Sequence, residues 1–598
     1  MPQLCCGIGL GACSIQLLSG SDAAFLPLPF GFAAAGALAL DPVSTLLLGL
    51  VFMTGLVARP VGSVRRRILL IGTVATLAIS GDALLFSIAG AAAILLLDRT
   101  TMRPASIVSV CLLSGATALL AGGGAAINAL LPEISFERLR SLSAARDGGF
   151  WPDILLFLFA AGAAGPLLGF PFCAAGRRRW SRHADTASLV LAPATGLFLL
   201  TRLLLDLRGA PPAWWGAGLA LFGSLAAARG ALAAAAARHL RAVPEGAAMF
   251  AGGLGTVALG GIIAVRARAP GAALPAAEAA LLCAVGLLPV LLVAFRGTEL
   301  LEEGAGARAM SRLGGLARAM PRTALMTTLS AACLLFLPPF APGAGLWLFW
   351  QAMAAMLPPD ARIARSGLLL LAAALLLVLA MHAYGWLKLF VVAMFGRPRT
   401  PRAAAAEDGP GGVWRPSMLV VAVPALVGLL PQLFVPLLRP AAKILSGTAA
   451  TDLAAPAFSP WGLAAAADRA PLMVLPLLLL VLMLLLVLRI TTLRVRPGGA
   501  RTVAAWADGF APPPPWLPFG EPATQPTARA YDAAFLALVA PGTDPRRVAA
   551  ALGALSRTGR SSLRFVRARM PRWRLDGIGF LFVVLLLGVI WLGARSGW

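Results

Sequence analysis

Apolar residues run along this chain in long unbroken stretches, separated by short charged ones. The stretches 104–132, 154–176, 209–228, 246–265, 366–387, 416–438, 470–488 and 577–594 contain no Asp, Glu, Lys or Arg. A bilayer core about 30 Å thick takes roughly 20 residues of helix to cross, so each of these predicts a span. The stretch 323–359 is long enough for two, and Pro338-Pro339 falls near its middle. Two consecutive prolines cannot continue a helix, so this stretch predicts two spans joined by a break. Shorter or less clean stretches at 23–40, 42–58, 68–81, 83–97, 186–201 and 279–295 predict further spans, for about 14 to 16 in all. No strand-period alternation of the membrane-barrel kind interleaves them. The expected fold is an all-α polytopic membrane protein.

Composition agrees. Of 598 residues, 59% are hydrophobic and only 13% charged, about half the charged share of an ordinary soluble domain. The formal charge is +25, nearly all from arginine in the segments between apolar stretches. A strongly basic chain can bind nucleic acid. Here, however, the clusters Arg65-Arg66-Arg67, Arg177-Arg178-Arg179 and Arg397-Pro398-Arg399 are short and interhelical. They read instead as loops held at an anionic cytoplasmic leaflet. Loop positives follow too many consecutive spans to assign the full topology.

Seven cysteines (Cys5, Cys6, Cys13, Cys111, Cys173, Cys283 and Cys333) form no CxxC pair, and His183, His239 and His382 show no metal spacing. No glycine-rich phosphate loop follows a strand, and no Ser-His-Asp arrangement stands out. The sequence therefore predicts no catalytic residues, metal site, redox centre or other cofactor of its own.

Along the chain, 1–80 reads as N-terminal transmembrane helices, 81–439 as the transmembrane core and 440–489 as its C-terminal helices. Residues 400–415 form a Gly/Ala-rich polar loop, and 440–469 are suited to lying along the interface. Residues 490–576 are rich in arginine and proline. Pro512 to Pro515 favour extended chain, and 546–574 a basic helix on an anionic surface. This segment is expected in the cytoplasm, with 577–594 as a last span.

Several stretches resemble the antiporter-type membrane subunits of complex I (NADH:quinone oxidoreductase), Mrp-type antiporters and their relatives, above all hydrogenase-4 component B, also called the formate hydrogenlyase membrane subunit. Residues 306–325 (GARAMSRLGGLARAMPRTAL) resemble a loop of that branch with an L-G-G-L-x-x-x-M-P core. Residues 337–351 (LPPFAPGAGLWLFWQ) resemble its following broken helix, and 388–400 (KLFVVAMFGRPRT) a lysine-bearing helix end running into G-R-P-R. Residues 506–510 (WADGF) resemble its W-x-C-G-Y tail, with Asp508 where cysteine is usual. Order and spacing agree across these four stretches; before them the likeness is one of rhythm.

The resemblance implies two inverted repeats with broken helices, proton or cation translocation along a buried row of Glu, Lys and His, and association with hydrophilic redox subunits in a bacterial cytoplasmic membrane. The chain departs from that pattern where it matters. The family's first-half glutamate maps to Ala91 and its first-half lysine to Ala194. A later lysine maps near Leu291, and the acid after the broken helix to Leu346. Only two lysines exist, Lys388 and Lys443, against 48 arginines.

An ionisable group inside a membrane helix is a functional candidate, and Lys388 lies between the apolar stretch 366–387 and LFVVAMF. A buried lysine can release its proton, whereas arginine cannot. The alternatives are a structural ion pair and a lysine snorkelling to the interface. Tyr384, four residues earlier, shares its helix face; His382 lies off that face. Glu299, Glu302 and Glu303 read as a solvated loop, while Asp206 and Glu245 are possible intramembrane acids near the ends of apolar runs. Three functions remain open: a subunit with its first-half proton path reduced or lost, a non-conducting anchor or scaffold, and an independent secondary transporter.

Overall fold

A computed structural model describes residues 24–27, 37–57, 64–97, 104–122, 150–170, 186–356 except Pro338, 362–409 and 411–447, with short pieces at 13, 136–137, 139–140, 458–459, 462–463, 479, 482–490 and 519. The expected cytoplasmic segment 490–576 and the last span 577–594 lie outside these residues, apart from Ile490 and Phe519. The protein is an all-α polytopic membrane protein. In chain order the longer helices among the described residues are α1 Pro42–Val57, α2 Val64–Ala78, α3 Ala83–Leu97, α4 Pro104–Gly122, α5 Phe150–Leu168, α6 Thr186–Leu200, α7 Ala213–Ala235, α8 Ala242–Arg268, α9 Ala273–Ala305, α10 Pro321–Leu334, α11 Ala341–Ala355, α12 Arg362–Leu389, α13 Gly411–Leu429 and α14 Pro431–Ser446. Wider π turns extend α6 through Thr201–Asp206 and α12 through Phe390–Met394.

Among the described residues, six helices are long and apolar enough to cross a membrane: α5, α6 with its π turn, α7, α8, α9 with the turn before it, and α12. Helices α1 to α4 are apolar but shorter.

Helix α9, 33 residues long, sits at the centre. It packs against α8, α10, α11, α13 and α14. Gly306, at φ 62°, ends it in the left-handed conformation that glycine adopts without strain. Helix α12 lies against α7 and leaves Leu369, Leu370, Leu376 and Leu377 uncovered, as a lipid-facing helix would be.

Helices α7 and α8 are joined by a short turn and packed along a glycine seam. Gly216 meets Gly260, Gly223 meets Gly253, and Gly230 meets Gly246. A Cβ on Gly223 would fall 2.6 Å from the Gly253 carbonyl oxygen. In lipid, where apolar surface alone does not hold helices together, such close backbone approach supplies the packing. The glycines recur every seventh residue on both helices, which keeps them on the facing stripe.

Four sequence expectations are corrected. The stretch 23–40 is no helix at its described residues: Ala24–Pro27 (β1) pairs antiparallel with Ala37–Leu40 (β2). The stretch 416–438 is no straight span: α13 and α14 meet at 93°, because Pro431 opens α14 and cannot donate back into α13. The expected loop around Glu299, Glu302 and Glu303 is instead the last turns of α9. Arginine is also not confined to the loops, since Arg202 and Arg296 are buried within helical segments. Between α10 and α11 the chain breaks over 335–340, with Phe336 at φ 58°. Pro339 lies in that break, and Pro338 falls outside the described residues.

Candidate functional site

Besides the pair Asp153–Arg208, three groups of charged side chains are buried among the described helices. The first joins α1 to α6. Asp41 caps α1, its Oδ1 accepting the Ser44 amide at 2.8 Å. Its other oxygen faces Arg202 Nη2 at 2.5 Å, while Arg202 Nη1 lies 2.5 Å from Asp206 Oδ2. Arg140 closes the group with two hydrogen bonds to Asp206, at 2.7 and 2.8 Å. Arg202 is 1% exposed, its guanidinium 5.1 Å from the Phe198 ring centroid. Asp41, Asp206, the Ser44 hydroxyl and the Phe198 ring hold the cation in place. The group sits in the half where the expected lysine is Ala194, which is itself buried on α6.

The second group gathers at the C-terminal end of α9. Arg296 Nη1 donates to Glu299 Oε2 at 3.0 Å, and Thr186 Oγ1 from α6 donates to Glu299 Oε1 at 2.6 Å. Arg241 Nε lies 2.7 Å from Glu302 Oε2, and Arg308 bonds the other oxygen of Glu302. The carboxylates were expected in solvent, but these guanidinium partners compensate their burial; only Glu303 remains substantially open. Arg296 is also the cation of the helix in which the family lysine maps near Leu291, five residues earlier.

The third group is Glu278 near the start of α9, fully buried, with Arg439 of α14 donating to it at 3.1 Å. Its Oε2 has no hydrogen-bond partner among the described residues. Glu278 and Arg296 are 18 residues apart, about 27 Å along the axis, and no charged residue lies between them. The chemistry of α9 is therefore at its two ends.

Of the candidates from sequence, Lys388 is 1% exposed, and its ammonium donates to the Ala235 carbonyl at the C-terminal end of α7. Tyr384 places its ring centroid 5.9 Å from that nitrogen. His382 is fully buried and stacked on Phe250 at 4.4 Å, and its Nε2 accepts from Trp386 Nε1 at 3.3 Å. Lys388 thus reaches into protein, whereas Lys443 on α14 is exposed. Leu346, where the family's acid maps, lines a small apolar cavity with Leu197, Leu254, Cys283, Leu287 and Trp350. Among the described residues no three of His, Cys, Asp and Glu are grouped as metal ligands.

A larger cavity, of about 260 Å³, opens between α5, α6, α7 and α8. Pro166, Leu189, Pro193 and Met249 line it, with Arg229 and Glu245 as its charged residues. Arg229 also donates weakly to the Gly169 carbonyl, at 3.5 Å. Sequence reading had singled out Glu245 but missed Arg229, which lies within a run of alanine and glycine. Arg202, among leucines, gave no signal either, and Arg296 read as part of a loop.

No model of a known protein family matches the chain. Uncharacterized proteins from two strains of Mycobacterium tuberculosis are each 28% identical to it over 341 residues, 56% of this chain and 51% of theirs. The chain thus spans about half the length of the curated relatives it matches. Among solved structures, a chain of the membrane-bound sulfane sulfur reductase, an archaeal respiratory membrane complex, superposes with TM-score 0.66 at 17% identity. That match covers 98% of this chain and 96% of the other. A chain of the Mrp complex from Dietzia sp. gives 0.56 at 15% identity, over 74% and 91%. A chain of respiratory complex I from Thermus thermophilus gives 0.58 at 20% identity, over 74% and 94%. The fold is that of membrane subunits of complex I-like and Mrp complexes.

Proposed function

We propose that the chain is a membrane subunit of a complex I-like or hydrogenase-4-like assembly in a bacterial cytoplasmic membrane. In it the subunit moves protons or another monovalent cation, while partner subunits carry the electrons. The observation that supports this most is the superposition on a subunit of a respiratory membrane complex across nearly the whole of both chains. Residues 81–439 would form the antiporter-like core. The arginine-rich segment 490–576 would meet the cytoplasmic leaflet or a hydrophilic partner there.

On this reading the proton path is reduced in the first half. Arg202 stands between two carboxylates, and a guanidinium cannot give up a proton under these conditions. Its pairs hold α1 to α6 rather than pass charge. In the second half Lys388 is the proton carrier, with Tyr384 and His382 as candidates along the same helix.

A second reading, a non-conducting anchor, is favoured by the apolar cavity at Leu346, which no carboxylate, lysine or histidine lines. Purification from native membranes in mild detergent tests the shared part of both readings, since redox or ion-exchange subunits should co-purify. A chain that isolates alone and works unaided would overturn it. Proton flux in the reconstituted complex then separates conductor from anchor.

A further inference from the structure

We infer that the cavity between α5, α6, α7 and α8 is a water-filled proton site, with Glu245 the group that takes up and releases the proton. The inference names a site within the proposed ion-moving function and rests on that reading for its physiological use.

The cavity has the volume and the polar groups that water needs. At about 260 Å³ it has room for several waters of roughly 30 Å³ each. Arg229 supplies donors, Glu245 acceptors, and the Gly169 carbonyl lies within reach of the guanidinium. Pro193 in α6 adds another acceptor. Lacking an N–H, it cannot donate to the carbonyl of Leu189 four residues earlier, and Leu189 lines the same cavity.

The Glu245 carboxylate makes no side-chain hydrogen bond or ion pair among the described residues, in contrast to Glu278, Glu299 and Glu302, each fixed by an arginine. No fixed partner therefore locks it in one state, and Arg229 shares its cavity.

A proton fits this chamber better than a metal cation does. A bare cation needs several oxygen ligands, and the guanidinium of Arg229 would repel it. A proton needs only the carboxyl group and a chain of waters, with Arg229 balancing the charge when the proton leaves.

The placement also connects to Lys388. Ala234, in the last turn of α7, lies against Gly246 of α8 on one side and Gly385 of α12 on the other. Gly246 follows Glu245, and Gly385 is one turn from Lys388, whose ammonium reaches Ala235. The charged groups on the elements around Glu245 are Arg229 from α7, Arg241 just before α8, Lys388 from α12, and Glu299 and Glu302 from α9, with Arg241 ion-paired to Glu302 and beside Glu299. His382 of α12 stacks on Phe250, five residues along α8. Helices α5 and α6 bring only apolar side chains to the cavity. Arg266, Glu278, Arg439 and Lys443 belong to the opposite ends of α8 and α9.

Dicyclohexylcarbodiimide, an apolar reagent that adds to protonated carboxyl groups, tests this in native membranes containing the full chain. Peptide mass spectrometry should find the adduct on Glu245 and none in Glu245→Gln. Folded chain with no adduct on Glu245 would overturn the site. Flux by the assembled complex is the second measurement: Glu245→Gln should lose it, while Glu245→Asp should keep part. Full flux in Glu245→Gln with partners still bound would sink the inference yet leave the subunit reading intact. Labelling of Glu245 in a chain that binds no partner would do the reverse.

Discussion

Gly230 of α7 and Gly246 of α8 meet backbone to backbone, and the residues just before them, Arg229 and Glu245, open into one cavity. The seam and the cavity are consequences of the same arrangement. The glycines draw the helices together on one stripe, so the residues beside them cannot close the space towards α5 and α6. Larger residues at the seam would spread the helices, and the two charges would no longer share a chamber.

The seam should therefore tolerate no added methyl. Gly223→Ala places a Cβ 2.6 Å from the Gly253 carbonyl oxygen and 2.7 Å from the Val257 nitrogen. Both are backbone atoms that cannot rotate away, so the helices must separate, at about 1–3 kcal/mol. Gly49→Ala on α1 is the control, because nothing lies within 4 Å of its Cβ position. Thermal stability of the purified protein in detergent should fall for the first and hold for the second.

Arg202 should be indispensable to folding yet replaceable together with its partner. Arg202→Met leaves Asp41 buried with only Arg140, 3.5 Å away, as a counter-charge. Breaking such a pair costs roughly 3–5 kcal/mol, so inserted yield should collapse. Asp41→Asn added to Arg202→Met removes the stranded charge and keeps an oxygen that can cap α1. Yield by size-exclusion chromatography should recover in good part. A double variant no better than the single one would show that the guanidinium itself shapes the helices.

The fold class was legible because apolar run length alone reports it. The stretch 366–387, for instance, is uncharged over 22 positions and lies inside α12. What failed was reading charges one run at a time. Arg202 and Asp206 look like the edge of an apolar stretch, and their partner Asp41 is about 160 positions away, a pairing no periodicity contains. Glu299 and Glu302 followed Arg296 at the end of a run and so resembled a loop; Thr186 of α6, with Arg241 and Arg308, joins Arg296 in making burial tolerable there. The glycine seam, in contrast, was available as a repeat of seven in both helices. The 93° bend after Leu430 had its signal in Pro431, the second half of a Leu-Pro step inside an otherwise clean run.

Asp408 should fasten the loop after α12 to the start of α10. Its carboxylate accepts the Arg322 amide at 2.9 Å, the Thr323 amide at 3.0 Å and the Thr323 hydroxyl at 2.8 Å. It thus caps a helix whose own preceding residue, Met320, has no capping side chain. Asp408→Ala should cost about 1–2 kcal/mol. Amide hydrogen exchange at Arg322 and Thr323 should accelerate, whereas Asp408→Asn, which keeps an acceptor oxygen, should slow exchange again.

Lys388 allows fold and flux to be separated. Its ammonium supports the C-terminal end of α7 through the Ala235 carbonyl, a favourable place for a cation because the helix dipole is negative there. Lys388→Ala removes both that support and the proton carrier, so reduced yield and absent flux are expected together and cannot be told apart. Lys388→Arg is the informative change. A guanidinium can still donate to the Ala235 carbonyl, so the chain should insert and assemble with its partners at near-normal yield. It cannot release a proton at any pH the membrane survives, so flux through the reconstituted complex should be lost. The two variants should therefore differ in yield and agree in flux. Normal flux in Lys388→Arg at normal yield would leave Lys388 as a helix cap only, remove the second-half carrier, and put the non-conducting anchor ahead.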